Sequence, residues 1–206
     1  MHKCARRRDA IKAEKLGVDM VTIVGTECGG HPSPEGVTSM VLLPKTVDSV
    51  SIPVVTGGGF SDGRALMVAL AMGAEGIVIG TGLMATTECP IHEDFKKTLI
   101  SAEETSTCLV LNSVKAPVRA FTNKTAQEVL EKENACLPLE EILSKMKGER
   151  GLQAYKDGDT EGAVWACGQV AGLVNEIRPV AEYFQAIMEQ AESIRKRWAV
   201  SVSPGK

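Results

Sequence analysis

Three apolar runs that end on glycine constrain this chain more than anything else in it: "DMVTIVG", "SIPVVTGGG" and "EGIVIGTG". A strand with one wet face alternates apolar and polar side chains. The segments "MVTIV", "IPVV" and "GIVIG" are continuously apolar, as expected of parallel strands covered on both faces. Parallel neighbours need a crossover, and the intervening sequence supplies helices. In "RRDAIKAEKLG", Ala10, Ile11, Ala13 and Leu16 fit one buried face and Gly17 is placed as a stop. "TSMVLLPKTVDSV" reads as a helix interrupted at Pro44, and "GRALMVALAMG" as a helix capped by Asp62 and closed by Gly73. The pattern predicts adjacent parallel strands at 19–24, 52–56 and 76–80, in that order, with a helix over 62–72. That is an α/β fold, either doubly wound or a barrel.

From about residue 104 the pattern changes. "SAEETSTCLVLNSVKAPVRAFTNK" has room for at most one short strand, and helix is expected in "TAQEVLEKENA", "PLEEILSKMKG", "TEGAVWACGQVAGLVNEI" and "PVAEYFQAIMEQAESIRKRWA". The expected division is therefore 1–103, the strand-and-helix half, and 104–206, a helical region whose last helix can pack back on the first half. A net charge of −3 gives no sign of nucleic acid as a partner. The basic runs at 6–8 and 195–197 lie on predicted helices beside acidic residues, which suits solvated faces. No apolar run approaches the ~18 residues of a membrane span. The six cysteines form no CxxC pair and the charged start is unlike a secretory signal, so reduced thiols in the cytoplasm are expected.

Chemistry is expected where the strands end. A helix N-terminus offers unpaired N–H groups and partial positive charge, and glycines there let a phosphate approach the main chain. Gly57, Gly58 and Gly59 stand at one such junction, and Gly80, Thr81 and Gly82 at the next. Strand-to-helix turns also use glycine for backbone freedom alone, so it is the recurrence in successive units that carries weight. His31, in "GTECGGHPSPEG", falls on the same rim one strand earlier, where an imidazole can exchange a proton near neutrality. It is equally readable as a surface loop residue. His2, Cys4, Cys28 and His31 are zinc-ligand types, but His2 and Cys4 would face opposite sides of an extended segment, and no metal is expected.

"GVDMVTIVGTECGGHPSPEG", "IPVVTGGGFSDGRALMVALAMGAEGIVIGTGLMATTECPIHEDFK" and "GDTEGAVWACGQVAGLVNEI" together resemble the nitronate monooxygenase family, formerly called 2-nitropropane dioxygenases. These are FMN-dependent TIM-barrel oxidoreductases. The resemblance implies that Gly58, Gly59, Gly80 and Thr81 hold the FMN phosphate, that Gly29 and Gly30 lie against the cofactor, and that His31 is the catalytic base. Lys3, at what resembles the tail of the fifth strand, is a weaker cofactor contact. The implied reaction oxidises a nitronate or nitroalkane with molecular oxygen to a carbonyl compound and nitrite. A related flavin-dependent enoyl reductase shares the barrel and cofactor, and the motifs do not separate the two.

A complete (β/α)8 barrel takes ~250 residues. The resemblance begins at the end of strand five, so it implies a partial TIM barrel, from the end of strand 5 to strand 8, followed by the helical region. A fragment of a longer enzyme is the expectation, with self-association through the open barrel edge as the other route. A flavin- or phosphate-binding remnant without catalysis, and an interaction module, stand as further alternatives.

Overall fold

The computed structural model describes residues 1–144 and 146–201; Lys145 and 202–206, both within the predicted helical region, lie outside the described residues. Strands β1 (His2–Cys4), β2 (Val21–Val24), β3 (Val54–Gly57) and β4 (Gly76–Ile77) form one parallel sheet in the order β1-β2-β3-β4. Val21 pairs with Val54 and Thr56 with Ile77, so the three predicted strands are neighbours in the predicted order. Helices α1 (Arg7–Lys15), α2 (Ser39–Val47) and α3 (Gly63–Ala71) make the connections. All four residues of β2 are buried, which explains why its sequence does not alternate. Ala10 and Ala13 of α1, Leu42 and Leu43 of α2 and Ala69 of α3 close on Val21, Ile23 and Val54 in one core. The Asp62 carboxylate caps α3 by accepting from the Ala65 amide at 2.9 Å.

Two local expectations for this half need correction. Helix α2 runs through Pro44 without interruption. The bond Pro44 cannot donate would go to the carbonyl of Met40, an exposed residue that water can satisfy, while Leu42, Leu43 and Thr46 hold both sides of the proline in the core. Strand β4 spans two residues, not 76–80. Among the described residues it has β3 as its one neighbour; after the Val78 amide reaches Thr56 O at 2.7 Å the chain turns into α4 (Thr81–Met84).

The second half departs further. After α5 (Glu93–Ile100), β5 (Thr107–Val110) and β6 (Val118–Phe121) form an antiparallel hairpin where at most one strand was expected. Its turn has no Asn-Gly signal; Leu111 and Lys115 take positive φ of 58° and 57°. The turn is held from α6 (Lys124–Asn134) by Glu133, whose carboxylate accepts from the amides of Leu111 at 2.6 Å and Ser113 at 3.2 Å and from the Ser113 hydroxyl at 2.6 Å. Glu133→Ala leaves the amide of buried Leu111 unpaired, while water can reach exposed Ser113, and is expected to destabilise the fold by about 1–3 kcal/mol in urea denaturation. A loss below about 0.5 kcal/mol, the range of an ordinary surface change, would show that the turn holds itself.

"TEGAVWACGQVAGLVNEI" is not an α-helix. It is extended chain with a 3₁₀ turn at Gln169–Leu173. Tertiary contacts override its helical composition: the Asn123 amide donates to Thr160 O at 2.6 Å and Ala163 O at 2.8 Å, and Trp165 stacks on Phe121 with centroids 4.6 Å apart. A Cβ at Gly172 would come 2.4 Å from Glu104 N. The remaining helices are α7 (Leu139–Leu143), α8 (Gly148–Asp157) and α9 (Val180–Ser201). Helix α9 lies along α3, where Gln190 Oε1 accepts from Gly63 N at 2.7 Å. Among the described residues, no helix is long and apolar enough to cross a membrane.

Candidate active site

At the ends of β1 to β4 a cleft of about 340 Å³ opens, lined by Lys3, Gly29, Gly58, Gly59, Gly80 and Thr81 among others. Six of the eight site residues that the family resemblance implies therefore meet in one place. Gly30 and His31 are not part of its lining, and His31 is exposed on the loop beyond.

Each glycine has its own physical reason. Gly58 and Gly59 have φ of +80° and +92°, in the left-handed region that other residues rarely adopt. A Cβ at Gly58 would also sit 3.0 Å from Gly25 O, whereas Gly80 faces open space. Among the described residues the amides of Gly59, Phe60 and Gly80 donate to no protein group, so donors at two successive strand ends remain available to an anion. The Thr81 hydroxyl accepts from Gly168 N at 2.9 Å, which leaves its own proton to donate.

Gly29 is glycine because of protein packing: a Cβ there would lie 2.9 Å from Gly168 N. The segment 166–170 thus forms a wall of the cleft, contributing Ala166, Gly168 and Val170. Its tie to the loop is the bond from Gln169 N to Glu27 O at 3.0 Å.

Three further residues hold the loops. The Glu27 carboxylate accepts from Ser39 N at 3.0 Å, capping α2 from twelve positions away. Ser39 Oγ in turn lies 2.5 Å from Gly58 O, joining the loop after β2 to the turn after β3. Arg119 of β6 exchanges both backbone bonds with Gly30, at 3.0 and 2.6 Å, while its buried guanidinium donates to Thr26 O at 2.9 Å and to Thr107 Oγ1 at 3.1 Å. Arg119 therefore sets where the main chain leading into His31 lies. Burial lowers the guanidinium pKa, an effect opposed by Cys28, Glu27, Cys108 and Cys167.

Two thiols stand close by. Burial raises the pKa of Cys28 against the opposing pull of Lys3 and Arg119, and burial pushes Cys167 up to about 12. Both are neutral near pH 7 and serve as small apolar groups rather than nucleophiles, Cys28 in the lining of the cleft and Cys167 in the core. Glu27, Ser39, Arg119 and Gly168 were not visible as site residues in the sequence. Their partners lie 12, 19, 93 and 87 positions away.

A family model described as nitronate monooxygenase matches residues 4–190. A probable nitronate monooxygenase of Bacillus subtilis is 30% identical over 176 residues, covering 82% of this chain and 51% of that protein. Among solved structures, FabK from Thermotoga maritima has a TM-score of 0.91 at 30% identity, over 97% of this chain and 63% of that one. Nitroalkane oxidase from Streptomyces ansochromogenes has a TM-score of 0.78 at 24% identity, over 95% and 58% of the two chains, a likeness of fold. The chain spans about half the length of the curated relatives it matches.

Proposed function

The chain belongs to the nitronate monooxygenase family, and from that premise we propose that it supplies the phosphate-binding half of an FMN site in an oxidoreductase with a (β/α)8 barrel. The substrate is a nitronate or nitroalkane, oxidised with molecular oxygen to a carbonyl compound and nitrite. In this reading residues 1–103 are the C-terminal half of the barrel and 104–206 the helical region packed on it.

The observation that carries the proposal is the meeting of Gly58, Gly59, Gly80 and Thr81 in the lining of one cleft at two adjacent strand ends, where the amides of Gly59 and Gly80 have no acceptor among the described residues and the Thr81 hydroxyl keeps a proton to donate. A phosphate dianion is the group this donor set fits. Gly29 and Lys3 would lie against the rest of the cofactor. FMN, when bound, supplies the electron acceptor and the chemistry with oxygen. The chain's own residues anchor it, exclude water along the wall made by 166–170, and place a base. His31 is that base: an imidazole nitrogen takes the α-proton of a neutral nitroalkane, or orients a nitronate that has already lost it.

A second reading, flavin-dependent enoyl reduction, takes its support from the likeness to FabK, at a TM-score of 0.91 over 97% of this chain. The two are distinguished by assaying an enzyme extended to the relatives' length for nitrite release from a nitronate in air, and for reduction of an enoyl thioester by a reduced nicotinamide. Nitrite release with oxygen uptake is expected. Enoyl reduction without nitrite would overturn the first reading.

A further inference from the structure

A second pocket of about 280 Å³ lies between the N-terminus of α3, the 173–178 segment and α9, and shares no lining residue with the cleft. Ser61 lines it. The residue is 6% exposed, and its Oγ is a buried side-chain atom with no hydrogen-bond partner among the described residues. A hydroxyl in that state is a cost to the fold unless a ligand completes it.

The chemistry around Ser61 is one-sided. Its carbonyl is already taken by the Tyr183 hydroxyl at 2.6 Å, and Gln190 Oε1 is taken by Gly63 N, so Gln190 has its amide NH₂ left to offer. The one carboxylate in the lining, Asp62, is engaged by Ala65 N and by Arg64 at 2.6 Å. Arg178 pairs with Glu176, but that carboxylate is 60% exposed, and an exposed pair of this kind exchanges readily for another anion. What the pocket offers is therefore the Ser61 hydroxyl, the Gln190 amide NH₂ and the Arg178 guanidinium, the Arg64 guanidinium being taken up by Asp62. Donors from several directions suit an oxyanion. The space exceeds a phosphate group, and Val174 and Ile187 give the remainder an apolar wall.

We propose that this pocket is a second anion site, taking the phosphate group of a small phosphomonoester. It is separate from the cleft, although one turn serves both: Gly58 to Phe60 line the cleft, and Ser61 and Asp62 line the pocket.

The test is calorimetric titration of the chain with inorganic phosphate and with glycerol 3-phosphate, in wild type, Ser61→Ala, Arg178→Gln and the cleft variant Gly80→Val. Glycerol 3-phosphate is expected to bind more tightly than phosphate. Ser61→Ala and Arg178→Gln should each weaken it at least ~10-fold, the order of one lost charge-assisted hydrogen bond, while Gly80→Val retains it. Ser61→Ala removes an unpartnered atom and should leave the melting temperature unlowered, so it carries the test if Arg178→Gln fails to fold. Wild-type affinity in both pocket variants would overturn the proposal, as would binding lost in Gly80→Val alone, which would assign all the phosphate to the cleft.

Discussion

Replacing His31 with asparagine, in a version extended to the relatives' length, is expected to cut turnover of neutral nitroalkanes by roughly 100- to 10,000-fold, the usual cost of removing a general base. FMN should stay bound, because the proposed anchors Gly58, Gly59, Gly80 and Thr81 belong to other loops. A preformed nitronate has no α-proton left to remove, so its oxidation should fall much less. The contrast between the two substrates isolates proton transfer from positioning. The loop should also keep its place, since Arg119 grips it at Gly30 and Thr26 and not through the imidazole. Steady-state rates on both substrates decide the matter: near-normal turnover of each would make His31 a surface residue of its loop.

Gly59→Leu should separate cofactor binding from folding. At φ +92° any side chain is strained, at a cost of about 1–2 kcal/mol. The nearest obstacle to a Cβ is Glu27 Cβ at 3.6 Å, an ordinary contact, so the fold has room for the replacement. An anion has much less. The added side chain would stand at the mouth of the cleft beside amides that a phosphate would use, and losing two charge-assisted bonds corresponds to a fall in FMN affinity of about 100-fold or more. Fluorescence titration of the flavin, set against thermal melting of the same variant, reads both quantities. Equal loss of the two would mean that Gly59 serves the turn alone.

The first half was legible because local and tertiary demands agree there. A run such as "MVTIV" is apolar throughout because both its faces are covered, and glycines mark its end whether or not a ligand follows. The 160–177 stretch was illegible for the opposite reason. Ala163, Val164, Trp165 and Ala166 suggest a helix, but Asn123, Phe121 and Gly29 hold the chain extended from positions far away in sequence. The β5–β6 hairpin was missed because its turn relies on Glu133 rather than on glycine. In the candidate site, Gly58 and Gly59 carry a sequence signal because their positive φ favours glycine, while Arg119 and Glu27 act through carbonyls and amides that no local pattern reveals.

The central claim is that this cleft holds a flavin by its phosphate. It is tested most directly by titrating the purified chain with FMN and, separately, with riboflavin, which lacks the phosphate, following flavin fluorescence and the visible spectrum. The account predicts saturable binding of FMN that is much tighter than that of riboflavin, with the difference abolished in Gly59→Leu. Equal affinity for the two flavins, or a preference for FMN that survives in the variant, would contradict it.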